Sequence, residues 1–246
     1  VANVVDSAAF LAIGNELLAG KVAEANLFPL AKTLRGLGIE LRTAEILLDD
    51  VPTLARAVER LAKAHGVLVT SGGVGPTHDD VTMEAVAAAF GRRVVRSPEL
   101  VELVRRTFGA KMTDAHLRFA DVPEGAVLRE APDMAWPTPV LENVWILPGV
   151  PEVFRMKLAT LRAWLVGPRP FVTRALVLSQ DEVELKDALD GVVAAHPNVS
   201  VGSYPALFNP RYRTRITFDG TSEVEVGAAL DDLRSRLSPQ AIVDVE

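Results

Sequence analysis

Short apolar runs alternate along the chain with stretches in which apolar residues recur every three or four positions. Ala8 to Ile13 reads as a buried strand, followed by a glycine-bounded turn, Gly14-Asn15-Glu16-Leu17-Leu18-Ala19-Gly20. Asn26 is placed to cap a helix with apolar positions at Leu27, Leu30, Ala31, Leu34 and Leu37, and Gly36 and Gly38 mark its end. Ile39 to Leu48 reads as a second strand, closed by Asp49-Asp50. Pro52 then falls in the first turn of a helix carrying Val51, Leu54, Ala55, Val58, Leu61 and Ala62 on one face. Gly66 leads into a third strand, Val67-Leu68-Val69, and Met83 to Phe90 reads as a helix. This β-α-β-α-β-α order predicts a parallel sheet covered on both faces, an α/β fold of three layers.

The second half is less regular. Ser97 and Pro98 open a helix to about Phe108, and 111–139 reads as loops with a short helix and a short strand. Val140 to Leu147 reads as a strand with an Asn143-centred turn before it or within it, followed by Pro148-Gly149-Val150-Pro151 and a helix to Leu165. Gly167-Pro168-Arg169-Pro170 marks a boundary, which gives domains at 7–168 and 171–246. Beyond it the expected order is a strand (171–178), a helix (182–195), strands near 199–204 and 213–218, a helix (224–237) and a last strand near 241–245. That order, β-α-β-β-α-β, predicts a small α+β lobe.

The chemistry concentrates in Thr70-Ser71-Gly72-Gly73-Val74-Gly75-Pro76-Thr77-His78-Asp79-Asp80-Val81-Thr82. A glycine-rich turn between a strand and a helix start offers backbone N–H groups to an anion, and glycine lets the backbone come close. Two adjacent carboxylates at the same place make sense beside phosphate if a divalent metal lies between them. The competing reading gives Asp79 or Asp80 a capping role and the glycines a turning role. In a parallel sheet the ligand gathers at the carboxyl ends of the strands. Three turns leave such ends, at Gly14 to Gly20, Asp49-Asp50 and Ser71 to Asp80, and all three carry acids. Asp80, Asp79 and Asp49 are therefore the candidate metal ligands, with magnesium, manganese or cobalt favoured over zinc by oxygen donors. Glu16 is placed to orient water as a base or to bind a ribose. Ser71 and Thr77 have hydroxyls suited to phosphate oxygens.

Composition sets limits. The 246 residues are 49% hydrophobic and 24% charged, which suits a globular protein, and the net charge of −6 argues against a general nucleic-acid binder. With no cysteine, disulfides, thiolate metal sites and thiol nucleophiles are excluded. No apolar stretch is long enough for a membrane helix, and Val1 to Leu11 lacks the pattern of a secretory signal, so a cytoplasmic location without membrane attachment is expected. The four histidines lack metal-ligand spacing, and no Gly-x-Ser-x-Gly elbow exists. Arg211, Arg213 and Arg215 would share one face of a strand.

Taken together, Ile13 to Gly20, Asn26, Ser71 to Thr82 and Leu147-Pro148-Gly149-Val150-Pro151-Glu152 resemble the molybdopterin-binding domain of molybdenum-cofactor biosynthesis. More narrowly, they resemble the amino-terminal part of the competence/damage-inducible (CinA) proteins. The resemblance covers about 8–165, and 171–246 looks like the small lobe that follows in the same family. The amidase domain of full-length members has no counterpart in these residues. The resemblance implies a pterin-phosphate or nucleotide ligand and a homo-oligomer. It also implies either a metal-dependent diphosphatase of ADP-ribose type, molybdopterin binding or adenylylation, or a non-catalytic ligand-binding module. Carried over residue by residue, Asp80, Asp49 and Glu16 are the candidate catalytic groups. Gly14, Asn26, Ser71, Gly72, Gly73, Gly75, Thr77, Pro148 and Gly149 are the candidate ligand contacts. Two stretches depart from the family pattern: Asp133-Met134-Ala135-Trp136-Pro137 stands where a glycine-rich loop is usual, and Leu178-Ser179-Gln180-Asp181-Glu182 replaces a glycine-containing turn.

Overall fold

The computed structural model describes residues 2–132 and 134–246, and it divides into two compact units that meet in sequence between Pro168 and Arg169. The first unit contains, in order, β1 (Asn3–Val4), β2 (Ser7–Ile13), α1 (Asn15–Leu18), α2 (Leu27–Gly36), β3 (Glu40–Leu47), α3 (Val51–Ala64), β4 (Val67–Ser71), α4 (Thr82–Ala89), β5 (Val94–Arg96), α5 (Pro98–Phe108), β6 (Asp121–Pro123), β7 (Val127–Arg129), β8 (Thr138–Leu141), β9 (Val144–Leu147), α6 (Pro151–Trp164) and β10 (Leu165–Val166). The second contains β11 (Val172–Leu178), α7 (Glu182–Ala195), β12 (Ser200–Pro205), β13 (Thr214–Gly220), α8 (Glu223–Arg236) and β14 (Ile242–Val245).

The main sheet has the order β3-β2-β4-β9-β8-β7. Its first four strands run parallel, and β8 and β7 are added antiparallel. The parallel reading therefore holds for the part that carries the glycine turns. Val140 to Leu147 is a hairpin, with the reversal at Glu142-Asn143, and Glu142 takes a positive φ of 51°. Asn143 locks this turn against α3 by donating to the carbonyls of Ala62 (2.8 Å) and His65 (2.9 Å).

The three layers follow from strand alternation. Phe10, Val69, Trp145 and Leu147 face α2 and α6, where Leu30, Leu34, Phe154 and Leu158 complete one core. Leu11, Ile13, Leu68, Val144 and Ile146 face the other way, onto Leu54, Val58 and Leu61 of α3 and Ala85 and Val86 of α4. Every residue of β2 is buried because helices cover both faces, whereas the edge strand β3 alternates between exposed and half-buried positions. Each fully buried leucine contributes roughly 1.5–3 kcal/mol. β1 pairs with β10, so residues ahead of 7 also pack in the first unit.

The second unit is an antiparallel sheet, β12-β13-β11-β14, with α7 and α8 packed through Leu185, Val192, Val226, Ala229 and Leu233. The altered turn at Leu178 to Glu182 is a helix start: Asp181 and Glu184 form a capping box for α7. The arginine stripe does not form. β13 begins at Thr214, which leaves Arg211 and Arg213 in the preceding loop, and Arg215 pairs with Glu246 at 2.6 Å.

Candidate functional site

The carboxyl ends of β2, β3, β4 and β9 open on one cleft of about 630 Å³. Gly14, Glu16, Asp49, Gly72, Gly73, Gly75, Asp79, Asp80, Pro148 and Gly149 all line it. The structure thus gathers most of the sequence candidates from turns far apart in the chain. Asn26, Ser71 and Thr77 are placed differently, as braces for the cleft.

The glycines are there because backbone approaches backbone. Gly72 has φ 109°, and a Cβ on it would sit 2.1 Å from the Ile13 carbonyl oxygen. Gly73 has φ 62°, and its Cβ would meet the Thr82 hydroxyl at 2.4 Å. A Cβ on Gly149 would lie 3.0 Å from the Gly72 Cα, so the two ligand-side turns nearly touch. The Gly72 N–H is used by the Leu147 carbonyl, and the Thr82 N–H by the Gly73 carbonyl. The N–H groups of Gly73, Val74 and Gly75 have no acceptor among the described residues. A row of backbone donors that begins at two successive positive-φ glycines, Gly72 and Gly73, suits an anion.

Asn26 holds the two turns together. It is 4% exposed, and its side-chain amide donates to Ser71 Oγ (2.9 Å) and to the Gly149 carbonyl (2.8 Å). Ser71 Oγ points on to the Pro148 carbonyl at 3.4 Å. Both side chains set the spacing of the cradle from behind.

The carboxylates divide by role. Asp50 caps α3, its side chain accepting from the Thr53 N–H at 2.9 Å. Asp49 turns the other way, accepts from the Asn15 N–H at 2.8 Å and lines the cleft. Burial raises its pKa above the ordinary aspartate value, the Asn15 N–H opposes this, and Glu16, Asp79 and Asp80 raise it further. Asp80 accepts from both the N–H (2.9 Å) and the hydroxyl of Thr77, while Arg118 donates to its carbonyl at 3.2 Å. Hydrogen bonding from Thr77 also keeps Asp79 below the usual range. Neither aspartate caps α4, whose N-cap is Val81 with no side-chain bond. His78 is 99% exposed, a spacer in the loop.

Four acids thus face one cleft, and the field they share is felt at Asp49. Among the described residues, no three His, Cys, Asp or Glu side chains close around a single point. The donor set fits a hard cation held by one or two carboxylates, with ligand phosphate and water completing the shell, as magnesium is usually bound.

A second cavity, of about 310 Å³, adjoins the cleft and shares Val74, Phe119, Pro148 and Val153 with it. Its wall includes Met83, Phe108, Phe119, Trp136 and Lys157. Sequence reading singled out Trp136 only as a departure and missed the others. No sequence signal joins them, because Met83, Phe108 and Lys157 lie in three different helices and Phe119 and Trp136 outside them. Asp133, the first residue of that departing loop, lies outside the described residues.

Among the described residues, no helix is long and apolar enough to cross a membrane. Two family models match the chain: "Probable molybdopterin binding domain" over 9–165 and "FAD synthase, middle domain" over 170–246. A protein of Archaeoglobus fulgidus is 31% identical over 93% of this chain and 96% of its own length. A probable FAD synthase of Caenorhabditis elegans is 31% identical over 94% of this chain, which spans 50% of that relative's length. The crystal structure of CinA from Thermoplasma acidophilum, of unknown function, superposes with a TM-score of 0.58 at 27% identity, over 64% of this chain and 96% of that one. With glycine turns, sheet order and sequence in agreement, the chain belongs to the molybdopterin-binding domain family, as a CinA-like member whose second unit is of the FAD synthase middle-domain type.

Proposed function

We propose that the cleft binds a nucleotide diphosphate of ADP-ribose type and hydrolyses its diphosphate bond with a divalent metal. The observation that carries this reading is the pairing, across one cleft, of the unpartnered N–H groups of Gly73, Val74 and Gly75 with the acids Glu16, Asp49, Asp79 and Asp80. Donors without acid neighbours would hold any phosphate. Acids alone would repel it. Together they suit a phosphate with a cation between.

The glycine donors hold the phosphate oxygens and stabilise charge that develops on them. Asp80, with Asp79 or Asp49, would hold the cation, which when bound supplies polarisation of the diphosphate and a lower pKa for a nearby water. Glu16, which lines the same cleft, is placed to accept the proton of an attacking water. The water oxygen bonds to one phosphorus, the bridging P–O bond breaks, and the other phosphate leaves with the bridging oxygen. From ADP-ribose the products are AMP and ribose 5-phosphate.

The family description names molybdopterin binding and so supports a second reading, in which the ligand is molybdopterin, bound or adenylylated. A third, a module that binds without chemistry, draws support from the open arrangement of the acids. The test is incubation with ADP-ribose, FAD, NAD and diadenosine diphosphate, with magnesium, manganese, cobalt or no metal, read by mass spectrometry. FAD belongs in the panel because of the second unit's family. The expected result is metal-dependent release of AMP from ADP-ribose, lost in Asp80→Ala and in Asp49→Ala. Unchanged nucleotides under every metal would sink the hydrolase. ATP-dependent adenylylation of molybdopterin would then establish the second reading, and tight binding without turnover the third.

A further inference from the structure

The cavity beside the cleft differs from it in chemistry. The cleft carries the glycine turns and four carboxylates, whereas the cavity is lined mainly by rings and aliphatic carbon, among them Met83, Leu100, Phe108 and Trp136. The rings of Phe108 and Phe119 lie nearly parallel, 9° apart with centroids 6.2 Å from each other. Trp136 meets Phe119 edge-on at 6.3 Å and 68°. All three are only half-buried, so each keeps ring surface in reach of a ligand.

One charged group among the described residues sits in this wall. Lys157 is 6% exposed and donates to the carbonyls of Trp136 and, at 2.8 Å, Pro137. An ammonium has three hydrogens, and two acceptors are found among the described residues. The same bonds tie Lys157 to the segment that carries Trp136. Burial lowers its pKa to about 8, so near neutral pH it stays a charged donor in an apolar surround.

We propose that this cavity is the ring subsite of the ligand: it takes the planar heteroaromatic ring of a nucleotide whose diphosphate lies on the Gly73 to Gly75 donors. The inference rests on the diphosphate reading of the cleft for its second half only. Three observations carry it. The cavity and the cleft adjoin and share Val74, Phe119, Pro148 and Val153 in their walls, so a ligand seated on the cleft borders the cavity. Half-buried aromatic side chains bind flat rings by stacking, which tolerates several bases. A lone buried donor, Lys157, gives a ring nitrogen or carbonyl its orientation, as a few polar groups do in apolar pockets.

The experiment separates ring from phosphate. Calorimetry with magnesium present compares pyrophosphate (phosphate alone), adenosine and riboflavin (ring alone), and ADP-ribose and FAD (both). The variants are Trp136→Leu, Trp136→Phe and Gly73→Val. At least one ring-bearing diphosphate is expected to bind tenfold or more tighter than pyrophosphate. Trp136→Leu should remove that advantage and leave pyrophosphate unchanged, and Trp136→Phe should keep most of it. Gly73→Val should weaken pyrophosphate and both diphosphates. If Trp136→Leu binds ADP-ribose and FAD as the parent does, the ring subsite is wrong and the cleft reading stands. If pyrophosphate fails to bind while adenosine or riboflavin binds in a Trp136-dependent way, the cleft reading is wrong and the ring subsite stands. If no ring compound binds at all, the subsite is wrong. Should Trp136→Leu lower the melting temperature by itself, Phe119→Leu gives the same test from the opposite wall.

Discussion

The two units are built from similar helices and strands, yet among the described residues the candidate ligand and acid groups gather in the first. In the first, four parallel strands deliver their carboxyl ends to the same edge, so turns at 14–20, 49–50, 72–80 and 148–149 converge. In the second, neighbouring strands run in opposite directions, so successive turns fall at opposite ends. The charges follow suit. The first unit crowds acids around Asp49, while the second arranges its charges in pairs, such as Arg236 with Asp232 at 2.8 Å and Arg215 with Glu246. Strand direction decides whether polar residues accumulate or are spread, and accumulation is what a ligand site requires.

Glycine substitution breaks or sharpens this contrast most strongly. Gly72→Ala places a Cβ 2.1 Å from the Ile13 carbonyl oxygen at φ 109°, so two strand ends must move apart. The expected cost is roughly 3 kcal/mol or more, from the strained backbone and the clash together. Gly20→Ala, also at positive φ but in open space, should cost only about 1 kcal/mol. Gly227→Ala in α8 has nothing within 4 Å and should stabilise by about 0.5–1 kcal/mol. Urea unfolding of the three variants checks the order. Equal losses at Gly72 and Gly227 would mean that the close turns of the first unit are not what holds it together.

Lys157 gives the next effect. The first unit buries an ammonium against two carbonyls, and the second has no equivalent among its described residues. Its folded pKa, about 8, lies below the ordinary 10.5. A depressed value means that the stability it adds is complete above 10.5 and is lost as pH falls through 8. The difference between the two limits is roughly 3 kcal/mol. Lys157→Met is expected to look progressively worse than the parent as pH rises from 8 to 10.5, measured by denaturant unfolding at each pH. A pH-independent difference would show that burial does not depress this lysine.

How much of this was legible depends on how local the cause was. The strands β2, β3 and β4, the glycine motif and the first-turn proline Pro52 each declare themselves within a few residues, and they fall where the pattern predicts, whereas the short strands β1, β5 and β10 carry no such signal. The reversal at Glu142-Asn143 was left open because a non-glycine residue takes the positive φ there, held by Asn143 bonds to α3. Asp49 and Asp50 look alike in sequence, yet Thr53 claims one and Asn15 the other. The aromatic cavity gave no pattern at all, because Met83, Phe108, Phe119, Trp136 and Lys157 come from separate elements with no shared period.

The smallest effect tests the acid crowd itself. Asp49 has a raised pKa, chiefly from burial and then from Glu16, Asp79 and Asp80. A raised carboxylate adds stability only below its unfolded pKa and loses it as pH climbs through the folded value. At pH 7 without cations, Asp49 is therefore a net burden. Asp49→Asn keeps an oxygen for the Asn15 N–H and removes the charge, so its melting temperature should exceed the parent's by about 1–2 °C at pH 7. The gain should vanish as pH falls below the ordinary aspartate value of 3.8. Magnesium or manganese should raise the parent's melting temperature and close the gap at pH 7, because a cation relieves the repulsion that the substitution already removed. A paired aspartate of the second unit, Asp232, provides the opposite sign. Arg236 holds its pKa low, so Asp232→Asn should lower stability at pH 7, and the two metals should leave that loss unchanged. If both aspartates respond alike to charge removal and to metal, the crowding that sets the first unit apart has no energetic consequence, and the case for a cation in the cleft falls with it.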